Sequence, residues 1–316
     1  MLFIGFALAI VVPVSRGLTR NLSILTDGVQ RIARGDLTTR VSVKGTDEVT
    51  ALAAAFNQMA ADIEQHQRGL VEQERIKREL ELCRQIQSEM LPTKSLRIGL
   101  TEITGVSVPA REVGGDFFNY FPLPAGELAL LVGDVSGKGI GAALLMANFQ
   151  ATLRTRLALE QDLPVIADAI DRDVAANAPR GLYATLFVGI VHPSDRRLRY
   201  VNAGHNPQYV VRVGGGLDRL HSTGTPIGLM PGRGYSQSAL QLHAGDLLFF
   251  YTDGIVEVMN EKDEMFGTER LEALLQSAAS TEILDDILAR VETAITGFRG
   301  AREPFDDATM MVVRIG

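Results

Sequence analysis

The spacing of the hydrophobic residues changes along the chain. From residue 13 to about residue 66, apolar residues recur every three or four positions, as they do on one face of an amphipathic helix. After Pro92 the apolar residues instead form short runs, rich in β-branched and aromatic side chains and bounded by turn residues. The change predicts a helical region followed by a domain built largely from strands.

The chain begins with an uncharged apolar run, "MLFIGFALAIVVPV", which is followed by Arg16 and Arg20. Positive charge after an apolar run is typical of the cytoplasmic end of a membrane helix. The run is shorter than the roughly 20 residues that a full span needs, so we interpret residues 1–12 as the second half of a membrane helix. A secretory signal peptide is the alternative, but it requires a charged segment before the run and a small-residue cleavage site after it. We therefore expect attachment to the inner (cytoplasmic) membrane, with the remaining domains in the cytoplasm.

Two amphipathic helices joined by a non-helical connector are predicted between Pro13 and about His66. Their apolar positions are Leu18, Leu22, Leu25, Val29 and Ile32 in the first helix, and Val49, Leu52, Phe56, Met59 and Ile63 in the second. Neither helix can bury this stripe alone. The segment resembles a HAMP domain in its membrane-proximal proline, its "GDL" connector motif, and Asp47 and Glu48 at the start of the second helix. The resemblance implies a parallel four-helix dimer that relays a membrane signal; an unrelated helical hairpin is the alternative.

The second helix is predicted to continue as a linker that Pro92 ends. Heptad positions run from Ile63 to Leu70, and the stripe then restarts three residues out of phase near Gln73. The second stripe consists of Ile76, Leu80, Cys83, Gln87 and Met90. A shift of this kind overwinds a coiled coil locally, whereas a solvated charged helix is the alternative. Cys83 is the only cysteine, which excludes an internal disulfide and a thiolate metal cluster and favours a reducing compartment.

The region after Pro92 contains seven predicted strands and two helical blocks. The helical blocks are residues 140–159 with 163–176, and residues 268–298. Because strands follow one another rather than alternating with helices, we expect an α+β sandwich of two antiparallel sheets flanked by helices. The predicted domains are therefore a partial membrane helix (1–12), a HAMP-like domain (13–66), a helical linker (67–95) and the sandwich (96–316).

Composition narrows the range of functions. The formal charge is −7 in 316 residues, and there is no arginine-rich helix, so nucleic acid is not an expected partner. The length leaves room for a catalytic domain of roughly 200 residues beside accessory segments.

The glycine-rich stretch "GDVSGKGIGAALLM" is the first candidate site. It does not fit a phosphate-binding P-loop, because Gly133 and Gly137 enclose only three residues and Gly139 replaces the required hydroxyl. It does not fit a dinucleotide fingerprint either, because the glycines have the wrong spacing and no parallel β-α-β pattern surrounds them. What remains is Asp134 at the end of an apolar strand, next to a flexible turn.

Further carboxylates occupy similar positions. Asp116 follows two glycines, Asp253 ends the run "FFYTD", and Asp306 and Asp307 precede the last strand. Each position alone is weak evidence, because Asp-Gly and Asp-Asp are common turn dipeptides. Oxygen ligands without a histidine cluster suit Mg²⁺ or Mn²⁺ better than zinc. Taken together, the strand-end carboxylates predict a site for a hard divalent cation.

From about Leu96 to Gly316 the chain resembles the PPM superfamily of metal-dependent phosphatases, in its bacterial SpoIIE/RsbU-type branch. The matching motifs, in order, are "IQSEMLP", "PAREVGGDFF", "GDVSGKGIGAALLM", "NAGHNPQYV", "GTPIG", "GDLLFFYTDGIVEVMN", "FGTERL" and "DDATMMVV". Two departures, Asn119 in place of a frequent aspartate and Gly141 in place of a usual proline, leave the acidic residues intact.

The resemblance implies a binding site for two cations, Mn²⁺ or Mg²⁺. Asp134, Asp253 and Asp306 would bind the first cation. Asp116, Asp134 and the carbonyl of Val135 would bind the second, with Asp307 in reserve. It also implies that a water activated between the cations attacks phosphorus without a covalent intermediate.

The substrate that the resemblance implies is a phosphoserine or phosphothreonine on a small STAS-type anti-anti-sigma protein. Arg111 is a candidate for binding the substrate phosphate, although an exposed structural arginine is an equal alternative, and Lys138 has the same standing. His205 is a candidate general acid, but a histidine on such a turn more often fixes the backbone.

A catalytically silent binding module is the alternative function. A histidine kinase is rejected, because His66 lacks a phosphoacceptor context and no "DxGxG" motif occurs.

Overall fold

A computed structural model describes residues 2–43, 48–110, 113–178, 181–192, 194–278 and 282–316. The chain divides into two compact units, Met1–Glu79 and Leu80–Gly316. The helices of the described residues are α1 (Leu2–Ala33), α2 (Glu48–Met90), α3 (Ile140–Leu159), α4 (Leu163–Asn177), α5 (Asp253–Val256), α6 (Gly267–Gln276) and α7 (Leu284–Arg299).

The first unit is a pair of helices with a small core of its own. Leu25 of α1, Val41 of the connector, and Ala53 and Phe56 of α2 form this core. The side-chain amide of Asn57 fixes the connector, because it accepts from Val41 N at 2.7 Å and donates to Val41 O at 2.8 Å. Residues 44–47, which include the predicted opening residue Asp47, lie outside the described residues. Among the described residues, no helix combines the length and apolar character that a membrane span requires.

The second unit is built on two antiparallel sheets. The strands of the described residues are β1 (Leu96–Ile98), β2 (Thr101–Val108), β3 (Phe117–Pro122), β4 (Leu128–Val135), β5 (Ala184–His192), β6 (Arg197–Ala203), β7 (Gln208–Val211), β8 (Leu217–Leu220), β9 (Ser238–Gln241), β10 (Leu247–Tyr251) and β11 (Ala308–Arg314). One sheet has the order β1-β2-β11-β10-β7-β8, and the other has the order β3-β4-β5-β6-β9.

The sheets pack face to face, and a helical layer covers each outer face. Strand β4 shows how the sequence produces this arrangement, because successive side chains of a strand point to opposite faces. Leu128 and Leu130 enter the core between the sheets. Ala129 and Leu131 enter a second core with α3 and α4, and α6 and α7 cover the other sheet in a third core. The expected α+β sandwich is therefore confirmed.

The sequence predicted the strongly apolar elements better than the short ones. All seven predicted strands are present, but β1, β3, β8 and β9 were not predicted. The predicted helical block 268–298 is two helices, α6 and α7, rather than one. The edge strands β8 and β9 are four residues long and partly exposed, so their hydrophobic alternation is too brief to be distinctive.

Candidate metal centre

The predicted acidic residues lie where strand ends of the two sheets meet. Asp116 directly precedes β3, and Asp134 is the penultimate residue of the neighbouring strand β4. In the other sheet, Asp253 follows β10 as the first residue of α5, and Asp306 and Asp307 precede β11. One small cleft is lined by Asp134, Asp306 and Asp307. The fold thus gathers residues that are up to 191 positions apart, from Asp116 to Asp307.

Asp116 is the most enclosed of these carboxyl groups. Asp116 is only 5% exposed to solvent. Its Oδ2 accepts a hydrogen bond from the hydroxyl of Thr252 at 2.5 Å. Burial raises the pKa of Asp116 well above its ordinary value, and the charges of Asp134 and Asp307 raise it further. A carboxylate placed here requires a nearby positive charge or a proton.

Asp134 and Asp253 show the same electrostatic stress. Burial, followed by the charges of Asp253 and Asp306, raises the pKa of Asp134 to about 7. Burial, followed by the charges of Glu257 and Asp306, raises the pKa of Asp253 to about 6. Burial and the charges of neighbouring acids thus destabilise the ionised forms of Asp134 and Asp253. Such a cluster has the charge and the oxygen donors that a divalent cation requires.

The two glycines before Asp116 allow its loop to approach the turn after β4 closely. A side chain on Gly115 would overlap the carbonyl oxygen of Val135 and would lie 3.1 Å from Oδ1 of Asp134. A side chain on Gly114 would overlap the carboxylate of Asp307. The Val135 carbonyl therefore lies beside the carboxylate of Asp134. This placement fits the predicted use of both groups as ligands of one cation.

Asp306 and Asp307 have different surroundings although they are adjacent. Asp307 accepts the backbone N–H of Ala110 at 2.8 Å and that of Gly115 at 3.1 Å. Its carboxylate therefore fixes the loop that carries Asp116. Asp306 instead lies 3.3 Å from Nζ of Lys138, which also donates to the carbonyl of Phe305 at 2.8 Å. Asp307 thus holds the loop backbone, whereas Asp306 contacts a lysine; Asp306 as a ligand and Asp307 in reserve stay predictions.

Across the described ranges, no three histidine, cysteine or acidic side chains already form a cage for a cation. Thr252, Lys138 and backbone amides hold the carboxylates instead. Cation binding would therefore add metal ligation to carboxylates that these contacts already hold in position. The donor chemistry fits two hard cations, and the ligand set stays a prediction.

The structure describes only one of the two other candidates, so the phosphate-binding role of Arg111 stays a prediction. Arg111 lies outside the described residues. His205 is buried; its Nδ1 lies 2.6 Å from the hydroxyl of Thr185, and its Nε2 lies 3.1 Å from the carbonyl of Tyr251. A backbone carbonyl can only accept, so Nε2 carries the proton and Nδ1 accepts from Thr185. Burial lowers the pKa of His205 to about 4. These contacts support the structural role rather than general acid catalysis.

Gln87 lies near the end of α2, and the sequence analysis did not predict a role for it at the metal centre. Its amide donates to the carbonyl of Gly114 at 2.7 Å and accepts the N–H of Gly114 at 3.1 Å. Leu91, just after the helix, packs against both cores that border the five-stranded sheet. Two features of the sequence could have indicated this contact: Gln87 is the polar residue of the second stripe, and it lies within the motif "IQSEMLP". In this part of α2, which belongs to the second unit, the stripe therefore includes a direct contact with the loop before Asp116.

Comparison with known families assigns both parts of the chain. Residues 124–316 match the model of the family described as stage II sporulation protein E (SpoIIE). Residues 14–65 match the model of the HAMP domain.

Two curated proteins illustrate the relationship. The chain is 32% identical to Protein IcfG of Synechocystis sp. (strain ATCC 27184 / PCC 6803 / Kazusa), over 92% of this chain and 50% of that protein. It is 27% identical to the phosphoserine phosphatase RsbU of Bacillus subtilis (strain 168), over 64% of this chain and 60% of that protein. The chain thus spans about half of the length of the first relative and three fifths of the second.

Solved structures show the same fold. The RsbU and RsbW domains of Rv1364c from Mycobacterium tuberculosis align with a TM-score of 0.60 and 28% identity, over 68% of this chain and 59% of that chain. The SiaA-PP2C domain of Pseudomonas aeruginosa aligns with a TM-score of 0.66 and 22% identity, over 78% of this chain and 99% of that chain. The chain therefore belongs to the SpoIIE family and joins a PP2C-type phosphatase domain to an N-terminal HAMP domain.

Proposed function

We propose that this chain is a membrane-linked signalling phosphatase that hydrolyses phosphoserine or phosphothreonine on a protein substrate. The observation that carries the proposal is the cluster of five strand-end carboxylates. Burial and the charges of neighbouring acids raise the pKa of four of them, Asp116, Asp134, Asp253 and Asp307. RsbX, a protein of similar fold (TM-score 0.54), has been crystallised in complex with magnesium. The negative charge and the oxygen donors of the cluster both favour the binding of divalent cations.

The residues would have distinct tasks at this centre. Asp134, Asp253 and Asp306 would hold one cation, and Asp116, Asp134 and the Val135 carbonyl would hold the other. When bound, the cations would lower the pKa of a water and neutralise charge that develops on the phosphoryl group.

The surrounding residues would keep the ligands in place. The Thr252 hydroxyl orients Asp116, Asp307 fixes the backbone before Asp116, and Lys138 fixes the segment that carries Asp306. No side chain is required as a nucleophile. The alternative is a catalytically silent PP2C-type module that captures a partner, and the retained acidic residues argue against it.

A metal titration separates the two possibilities. We expect EDTA to abolish hydrolysis of a phosphoserine peptide and Mn²⁺ or Mg²⁺ to restore it, because bound cations would supply the activated water. Asp253→Asn should lower turnover by roughly a hundredfold or more. Asp286→Asn, an exposed carboxyl on the first turn of α7, is the matched control and should retain activity. Undiminished hydrolysis in metal-free buffer would refute the mechanism.

The likeness to RsbU-type proteins supports a phosphorylated STAS-type protein as the substrate within a partner-switching pathway. The substrate could be captured by an Asp134→Asn variant, which should retain the phosphorylated partner without turning it over. Recovery of a phosphoprotein with this variant but not with the Asp286→Asn variant is the expected result. Equal recovery with both variants would count against substrate capture at the acidic centre.

A parallel homodimer is part of the proposal. In one chain the helices of the first unit leave apolar side chains exposed: Leu22 (48%), Val29 (43%), Leu52 (53%), Met59 (49%) and Ile63 (40%). These residues belong to the predicted stripes, so a second copy could bury them. Sedimentation in detergent at micromolar concentration should give a dimer for the whole chain, and a chain that begins at Leu96 should lose most of the self-association. A monomeric whole chain would contradict the proposal.

A further inference from the structure

A cavity of about 290 Å³ lies beside the proposed metal centre. We call it the Arg299 cavity. Its walls come from the end of β2, from α5 and the residues after it, from the end of α7, and from the segment before β11. Most of the wall is apolar and includes Val108, Val258, Ile295 and Pro304. The cavity is large enough for one or two amino-acid side chains.

The Arg299 cavity and the metal-site cleft share one wall. Phe305 and Asp306 line both, and Gly254, the neighbour of Asp253, also lines the cavity. An extended peptide advances about 3.3 Å per residue. A peptide with its phosphorylated residue at the carboxylate cluster can therefore place a side chain, from a position a few residues away, in the cavity.

Arg299 distinguishes this cavity from an ordinary apolar depression. In the part of the chain that the structure describes, its Nε is buried without a hydrogen-bond partner, and no carboxylate lies within ion-pair distance of its guanidinium. Arg302 at the rim, in contrast, donates to the carbonyl of Asn260 at 2.8 Å and to Asp263 at 2.7 Å. Burying a donor without an acceptor costs free energy. Of the two arginines that line the cavity, Arg299 is therefore the one whose charge has no carboxylate partner among the described residues.

Two acidic residues also line the cavity, Glu257 and Glu303. Both are exposed, so solvent screens their charges more strongly than that of the half-buried Arg299. A guanidinium in a partly dry apolar pocket matches the planar geometry of a carboxylate. The pocket thus combines an apolar volume with one site for an anion.

We propose that the Arg299 cavity is a substrate-recognition subsite. It binds a segment of the phosphorylated substrate protein that flanks the phosphorylated residue, with an apolar side chain in the cavity and a carboxylate on Arg299. The inference rests on the proposed phosphatase function, because it assigns the flanking residues of that enzyme's substrate. Arg299 and Val108 are then specificity-determining residues that take no part in the chemical step.

The test uses synthetic phosphoserine peptides of equal length and the whole chain with Mn²⁺. One peptide has only alanine around the phosphoserine, and the others carry a leucine and a glutamate at offsets of one to four residues on either side. p-Nitrophenyl phosphate reports the metal centre alone, because it has no flanking residues. The variants are Arg299→Met, which removes the guanidinium, and Val108→Phe, which fills the cavity while Arg299 remains. Arg172→Met, an exposed arginine on α4, is the matched control.

We expect at least one leucine–glutamate peptide to show a kcat/KM about tenfold above that of the alanine peptide. Arg299→Met and Val108→Phe should each reduce this preference to within twofold, whereas Arg172→Met should keep it. All the variants should hydrolyse p-nitrophenyl phosphate at the parent rate and with the parent Mn²⁺ dependence, which also shows that they are folded.

Two outcomes would overturn the subsite and leave the phosphatase function intact. In the first, the parent shows no flank preference at any offset; in the second, the preference survives both cavity variants. A parent that hydrolyses neither the peptides nor p-nitrophenyl phosphate with Mn²⁺ would overturn the proposed function itself, and the subsite with it.

Discussion

The contact between Gln87 and Gly114 gives the sharpest prediction about control of the centre. Gln87→Met keeps the length and helical propensity of the side chain and removes both polar groups. The backbone N–H and carbonyl of the buried Gly114 then lose their partners. Gly114 lies two residues before Asp116, so the variant loosens the loop that supplies a proposed ligand.

The size of the effect follows from the two hydrogen bonds. Each contributes about 0.5–1.5 kcal/mol net, so their loss costs about 1–3 kcal/mol. Where the loop is loose before binding, the cation must order it, and the cost appears as weaker binding. The expected decrease in Mn²⁺ affinity is therefore about 5- to 150-fold.

Isothermal titration calorimetry with Mn²⁺ measures this change directly, without any substrate. Gln85→Met is the matched control, because Gln85 lies on the same helix, is exposed, and only donates to Glu89 at 3.3 Å. It should bind Mn²⁺ like the parent. Equal affinities of the parent, Gln85→Met and Gln87→Met would refute the reasoning. A loss of unfolding free energy at unchanged affinity would show that Gln87 anchors the helix without supporting the centre.

Three further predictions concern the acidic cluster and the linker. Without metal, the unfolding free energy should fall as the pH rises from about 4 to 7 in urea titrations with EDTA, because the pKa of Asp134 is about 7 in the folded state and near 3.8 in the unfolded state. A rise over this range would contradict the burial argument. Asp306→Asn should lower turnover of a phosphoserine peptide roughly a hundredfold, and Asp307→Asn less, because the asparagine oxygen can still accept an amide N–H; the reverse order would exchange their roles. Deleting Glu72–Glu74 should bring the two stripes into one heptad phase and change the basal rate without changing the metal requirement; equal rates would make the linker a spacer.

Local sequence determined where many of the helices and strands lie and which acidic residues form a set. Strand β4 reads as a continuous apolar run because both of its faces are buried, and Pro92 ends α2 because proline cannot continue a helix. The acids were recognisable as a set because each ends or precedes a strand. The spacing of the first stripes likewise indicated helices that need a partner. These features depend on neighbours within one element or one turn.

Tertiary structure decided how those residues meet. The pairing of β11 with β2 and β10 places Asp307 against the loop before Asp116, and nothing in the local pattern distinguishes Asp307 from Asp306. The raised pKa of Asp134 likewise arises from burial and from charges far away in the sequence.

The roles of Gln87 and Arg299 also required the structure. The stripe in the last part of α2 suggested a coiled-coil seam, yet its polar residue Gln87 binds Gly114 in the loop before Asp116. Arg299 resembles any helix-terminal arginine in the sequence, and only the packing around it shows that its Nε is buried without an acceptor. Periodicity reports which face of an element is buried. It cannot report what that face is buried against, because that depends on contacts between residues far apart in the chain.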